Sequence, residues 1–386
     1  MKAPRGIWLL TTGLLIGLMV PALAQGASVA PTATTTLAGT GTTPAASAVF
    51  TMTNNASGNS VIAYTVGSTG ALSAAGTFRT HGLGTGASLA DQGALALTAD
   101  YRWLLVVDGG SNQISVFHVN PASRYAPILS FSGRVSSGGV MPVSLAVHGA
   151  WVYVLNAGNA TVAGNIAGFR LTAAGLVTLP GSHEPLSSSA PTGPAQVSFN
   201  PAGTVLVVAE KATSLLDSYT VDSHGIASAP WTTNSSGSTP YGFAFAPSGT
   251  LVVSEAGPGA LSSYSVSGTG TISVISPTVL DNQSAPCWVV LAGGGRWAYT
   301  TNAHSDSIST YTLARNGTLV LQASVGATTG SAPTDMAVTT STGRYVLVYD
   351  AGAGQIDEFA VGAGGTLTAT TSVYGLPLTS EGLVAF

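Results

Sequence analysis

The stretch GPAQVSFNPAGTVLVVAEKATSLLDSYTV, residues 193–221, holds three short apolar runs, QVSF, VLVVAE and LLDSYTV, separated by polar links. Runs of this length, rich in β-branched and aromatic residues and bounded by Gly, Pro, Asn and Ser, read as strands joined by turns. Outward from it, the third run generalises to the form apolar-x-x-aromatic-x-apolar, found at 61–66, 114–119, 166–171, 216–221, 261–266, 308–313 and 356–361. Its aromatic positions are Tyr64, Phe117, Phe169, Tyr219, Tyr264, Tyr311 and Phe359. Upstream of each copy, a strand closes on a carboxylate or amide: Asn54, Asp108, Asn156, Glu210, Glu255, Asn302 and Asp350. Downstream of most copies a Gly-rich turn, as at Gly70, Gly225, Gly317 and Gly365, leads into a further strand. A small apolar strand opens the unit, as in GALAL from Gly93, VSLAV from Val143 and YGFAF from Tyr241. The unit therefore has four strands and repeats at roughly 45 to 53 residues, a period far longer than the rung of a β-helix.

The unit with Asn54 and Tyr64 lacks an opening strand, whereas EGLVAF, 381–386, is an opening strand with nothing after it. Together they complete one blade. The predicted fold is all-β: a seven-bladed β-propeller over residues 48–386, with four antiparallel strands per blade, closed by the C-terminal strand joining the N-terminal blade.

Ahead of it, Lys2 and Arg5 precede an apolar run from Ile7 to Val20 and a small-residue site at Ala22-Leu23-Ala24. This pattern predicts a signal peptide over 1–24, cleaved after Ala24, with a secreted or periplasmic product and no membrane span. Residues 25–47, made of Thr, Ala, Gly and Pro, read as a flexible leader. Charged residues are 7% of the chain, against about 25% in an average soluble protein. A net charge of −4 without a basic cluster gives no footprint for nucleic acid. Cys287 is the only cysteine, so the fold is held without an internal disulfide. A monomer is expected.

In a propeller the second strand's end and the start of the innermost strand open on one face. Asn54, Asp108, Asn156, Glu210, Glu255, Asn302 and Asp350 are thus expected as a polar ring there. They could bind a ligand or a hard divalent cation such as Ca²⁺, or could cap turns by accepting backbone N–H bonds. Starts of innermost strands, marked by proline, add Gln196, Tyr241, Trp288 and Asp335 to that face, and His183 and His304 fall in its loops.

WVYVLN ending at Asn156, GPAQVSFNPAGTVLVVAE at 193–210 and STGRYVLVYD at 341–350 carry a resemblance across residues 48–386. The chain resembles the lactonase family of seven-bladed propellers (6-phosphogluconolactonase and carboxymuconate cyclase-like) and is similar to YVTN-repeat propellers of surface proteins. The resemblance implies a lactone-ring hydrolase, with Glu210 in the place of the family's site glutamate and therefore the candidate base. Where the family has a Pro-His step this chain reads Pro142-Val143. Where it has Gly-Pro-Arg-His, this chain has Gly193-Pro194-Ala195-Gln196. The set is incomplete. Two functions are therefore expected as alternatives. One is an exported propeller that binds, and hydrolyses, a small lactone or carbohydrate-like ligand. The other is a non-catalytic envelope scaffold that contacts protein or glycan.

Overall fold

The computed structural model describes residues 47–67, 69–120, 128–339 and 343–386. The segments predicted as signal peptide and leader, residues 1–24 and 25–47, lie outside the described residues apart from Ser47. Residues 44–386 form one compact unit, and its described residues make seven four-stranded antiparallel sheets. We number them as blades 1 to 7 in chain order. Blade 1 combines Ser47–Met52, Ser60–Val66 and Leu72–Arg79 with Glu381–Ala385 as its innermost strand. In that strand Ala385 pairs with Val49 and Val384 with Phe50. The last strand of the chain thus closes the ring, as the sequence predicts.

Within each blade burial falls outward, from first strands such as Pro194–Phe199 to fourth strands such as the largely exposed Trp231–Asn234. The second strands are almost wholly buried: all six residues of Val205–Glu210 are. A strand covered on both sides reads as a continuous apolar run rather than an alternating one. Six of the seven repeated third-strand aromatics are at most 2% exposed, and Tyr64 is 8% exposed. Several also carry their hydroxyl to a carbonyl outside their own strand, as Tyr219 donates to Pro185 at 2.9 Å and Tyr311 to Val279 at 3.1 Å. A buried phenol needs such a partner.

The chain enters five blades through a residue in left-handed backbone followed by proline: Met141 (φ 56), Gly193 (φ 59), Thr239 (φ 56), Ala285 (φ 56) and Ala332 (φ 52). Blade 2 uses Ala90 (φ 52), followed by Asp91 instead. Non-glycine residues adopt this conformation at a cost. Here it turns each of these interblade crossovers into the innermost strand of the next blade.

Candidate functional site

The seven polar residues that end, or in blade 1 follow, the second strands are all fully buried. They do not converge on the axis; each is bonded locally to the turns and crossovers beside it. Asn54 donates to Thr85 Oγ1 (3.0 Å) and the Ala87 carbonyl (2.7 Å). Asp108 accepts from Thr80 Oγ1 (2.7 Å), Asn59 Nδ2 (3.0 Å) and Ser115 Oγ (2.6 Å). Asn156 donates to the Ser137 carbonyl (3.1 Å) and to Asn165 Oδ1 (2.9 Å). Glu255 accepts from Ser235 Oγ (2.7 Å) and Tyr264 OH (2.8 Å). Asp350 accepts from the Gly330 amide (3.2 Å) and Gln355 Nε2 (3.3 Å). Asn302 donates to Ser307 Oγ (3.1 Å) and Ser309 Oγ (2.8 Å), and Ser307 passes the contact on to Gln283 at 3.3 Å.

Glu210 follows the same pattern. Its oxygens accept from Ser187 Oγ, from the Ser187 amide (3.1 Å) and from Thr213 Oγ1 (2.6 Å). The expected base is thus a fully buried clamp on the crossover between blades 3 and 4, with its acceptor sites occupied. Asn54, Glu210 and Asp350 accept backbone N–H groups of the adjoining crossovers, as turn capping requires, whereas the bonds of Asp108, Asn156, Glu255 and Asn302 given above run to side chains or a carbonyl. Gln196 also differs from expectation. Its amide donates to the Phe243 carbonyl (3.0 Å) and accepts from the Phe243 amide (2.6 Å), so it imitates a strand partner between blades 4 and 5. His183 and His304 are exposed; His183 Nε2 meets the Gly138 carbonyl at 3.1 Å. Among the described residues, no three His, Cys, Asp or Glu side chains are gathered as a metal site requires.

What meets at the axis is a different set. The residues that follow the inward turns bring together Asp91, Tyr241, Cys287, Trp288 and Asp335, while the closing strand adds Glu381. Lys211, directly after Glu210, reaches in from blade 4, donates to the Ala90 carbonyl and lies 4.6 Å from the Tyr241 ring centroid. The Tyr241 and Trp288 rings lie 5.0 Å apart and tilted by 56°, and Trp288 Nε1 donates to the Asp91 carbonyl at 2.6 Å. Beneath them Gln92 forms a hub. Its side chain donates to the Val289 carbonyl (2.8 Å) and accepts from the Val289 amide (3.0 Å) across the ring. Its backbone amide donates to the Ala195 carbonyl (2.9 Å), and its own carbonyl accepts from Ser144 Oγ (2.7 Å). Replacing Gln92 with Ala leaves both Val289 groups unpaired, which costs about 2–4 kcal/mol; urea unfolding of the two proteins measures it.

The electrostatics of this cluster are unusual. Neither carboxyl oxygen of Asp91 accepts a hydrogen bond from another residue, although the side chain is 1% exposed. Burial, and then the neighbouring Glu381 and Asp335, push its carboxyl well above the usual range, against the pull of Lys211. Burial likewise raises Asp335, with Glu381 adding to the shift. It moves Glu381 up to about 7, while Ser88, the Leu89 amide and Lys211 act the other way. The Lys211 ammonium is pushed down by burial and held up by Asp91, Cys287 and Glu381. A lysine and three carboxyl groups, each displaced from its usual range chiefly by burial, therefore stand together. Displaced titrations of this kind, gathered beside an ammonium, make the cluster a candidate for acid–base chemistry.

Of the residues named from the sequence, Tyr241, Trp288 and Asp335 stand in this cluster. Asp91, Lys211 and Glu381 were not anticipated. Aligning the residues that follow each left-handed turn would have found Asp91, and the position after each second strand would have found Lys211.

Comparison with known proteins agrees with the architecture. The profile of the family described as "Lactonase, 7-bladed beta-propeller" matches residues 53–164 and 252–379, more than half of the chain. No curated protein sequence matches. Among solved structures, a putative 6-phosphogluconolactonase from Bacteroides fragilis is similar at a TM-score of 0.67 and 19% identity, covering 89% of this chain and 99% of that one. The periplasmic gluconolactonase of Pseudomonas aeruginosa is similar at 0.68 and 17% identity, covering 85% and 96%. A Lactobacillus plantarum protein is similar at 0.70 and 16%, covering 88% and 99%. At these identities the likeness is one of fold.

Proposed function

Because the chain belongs to the lactonase family of seven-bladed β-propellers, we propose that it hydrolyses a small uncharged lactone at the axial cluster of Asp91, Lys211 and Glu381. The observation that carries this reading is the Asp91 carboxyl, buried without a partner beside the cluster's ammonium group. A buried polar group left unpaired is costly, and is retained where chemistry uses it.

Lactone opening needs a base for the attacking water and donors for the oxyanion that develops on the carbonyl. Glu381, near its titration point at neutral pH, takes the proton from water. Lys211 donates to the oxyanion, and Asp91, where burial favours the neutral carboxyl, donates beside it. Collapse of the tetrahedral intermediate breaks the ring C–O bond, and the departing alkoxide takes up the proton. Lys211 is the one ammonium of this cluster and is already engaged with the Ala90 carbonyl and the Tyr241 ring, which leaves no second cation there for a phosphate, so an aldonolactone without phosphate fits best. The periplasmic gluconolactonase among the similar structures is consistent with such a substrate and with the export expected from the N-terminal segment.

The test is hydrolysis of gluconolactone, its 6-phosphate and a homoserine lactone by the wild type and by Lys211→Met, Asp91→Asn and Glu210→Gln. Lys211→Met lowers kcat/KM by about 10²–10³-fold, the usual effect of removing an oxyanion donor, while Glu210→Gln keeps most activity. The profile rises with pH through about 7 as Glu381 ionises, and Glu381→Gln removes that limb. Equal rates in wild type and Lys211→Met would overturn the mechanism. Absence of turnover on all three lactones would leave the non-catalytic scaffold as the better reading.

A further inference from the structure

At the far end of the second strands, on the opposite face of the disc, the seam between blades 2 and 3 stands open. Blades 2, 3, 6 and 7 begin this strand with Trp103, Trp151, Trp297 and Tyr345. In blades 3, 6 and 7 the ring is roofed by a glycine from the turn between the third and fourth strands of the following blade. A Cβ added to Gly225 would stand 2.5 Å from Trp151, one on Gly365 2.5 Å from Trp297, and one on Gly70 2.9 Å from Tyr345. The equivalent glycine for Trp103 is Gly175, and a Cβ there would meet nothing within 4 Å. That turn stands clear of Trp103, and a cleft of about 780 Å³ opens between blades 2 and 3.

Its lining combines aromatic and planar polar groups. His118, exposed at the mouth, stacks on Trp103 with centroids 3.8 Å apart and planes 34° from parallel. Asp100, Arg102 and Asn120 surround the pair, and Thr172 faces it from blade 3. Asp100 is fixed in place by accepting from Thr98 Oγ1 (2.6 Å) and the Arg102 amide (3.2 Å). The Thr98 bond holds this carboxyl below the usual range, so it remains an acceptor.

We propose that this seam binds a neutral saccharide of one or two rings. Stacked aromatic rings match the C–H face of a pyranose, while a carboxylate, a guanidinium and an amide at its rim match the alternating acceptors and donors of ring hydroxyls. One positive and one negative side chain give the cleft no net field for an ion. Its volume lies within the range of small-molecule sites, about 300–1,000 Å³. The site stands independently of the axial chemistry, since the six residues from Trp103 to Asp108 separate the two faces by about 17 Å at ~3.3 Å per residue.

Calorimetric titration with cellobiose, maltose and chitobiose tests the proposal in wild type, His118→Ala and Ala173→Trp. Ala173 is an exposed residue of the lining, so tryptophan there fills the cleft without emptying the core. At least one disaccharide is expected to bind. His118→Ala weakens it about tenfold, and Ala173→Trp abolishes it while the melting temperature and lactone hydrolysis stay unchanged. No binding by any of the three sugars would overturn the proposal. So would binding that survives Ala173→Trp, or preference for gluconate over the neutral sugars.

Discussion

Truncation after Thr379 yields a chain that does not fold to a monomeric propeller. The lost segment is the innermost strand of blade 1, paired with Val49, Phe50 and Met52. With it goes Phe386, 1% exposed, stacked on Tyr101 at 4.9 Å and lying 6.3 Å from Phe50. Glu381 also leaves, and its Oε1 accepts from the Leu89 amide at 3.0 Å in blade 2. Burying one phenylalanine is worth about 3–5 kcal/mol, and a whole domain is stable by only about 5–15 kcal/mol. The truncation therefore removes a large share of the total. Circular dichroism and gel filtration report the result, with Phe386→Ala as the graded control, expected to lose about 3–5 kcal/mol. A truncated chain that stays monomeric with an unaltered melting curve would show that the ring holds without its last strand.

Stability should also fall as pH rises, the reverse of common acid denaturation. In blades 4 and 7 the second-strand carboxylate is faced by a second acid from the third strand, as Glu210 by Asp217 and Asp350 by Asp357. One Ser187 amide bridges the first pair, donating to both at 3.1 and 3.0 Å. Gly330 bridges the second at 3.2 and 3.0 Å. Burial, then the neighbouring acid, raises Asp217 and Asp350 to about 8, and burial raises Glu255 to about 7. Each pair thus holds a proton at neutral pH. The unfolded chain releases those protons near pH 4, so between about pH 4 and about pH 8 the native state binds more protons. Stability is complete below that window and is lost as pH rises through it. The loss is on the order of 3–6 kcal/mol over the window, read at 1.36 kcal/mol per unit and reduced for coupling within pairs. Calorimetric melting temperatures at about pH 5 and about pH 8 should differ by several degrees. Asp217→Asn and Asp350→Asn, which replace a protonated acid with an amide, flatten the slope. A melting temperature that rises with pH would refute this account.

Much of the architecture was legible because a β-blade imposes its periodicity on the sequence. Seven aromatic positions from Tyr64 to Phe359 mark the third strands, and the unmatched runs at 47–52 and 381–386 reveal the closure. The site was less legible, for a physical reason. Asn54, Asp108 and Glu210 carry groups that could serve equally as ligands or as caps, and only the crossovers, which have no period, decide between them. Asp91 is hidden because blade 2 has no proline after its left-handed residue and its innermost strand is only Leu95–Leu97. Lys211 looks like one more turn residue, and Glu381 like part of a closing strand. Their neighbourhood exists only once seven blades have been wound into a circle.

Gln92 gives that winding an order in time. Its partners Ser144, Ala195 and Val289 belong to blades 3, 4 and 6, the last of them 197 residues away. A chain growing from its N-terminus therefore makes the side chain at the centre long before it makes the backbone that will hold it. Until blade 6 emerges, the amide of Gln92 must remain hydrated, and the early blades must wait as an open arc. Contacts at such separation slow folding, and the hub is completed only when blade 6 joins the ring.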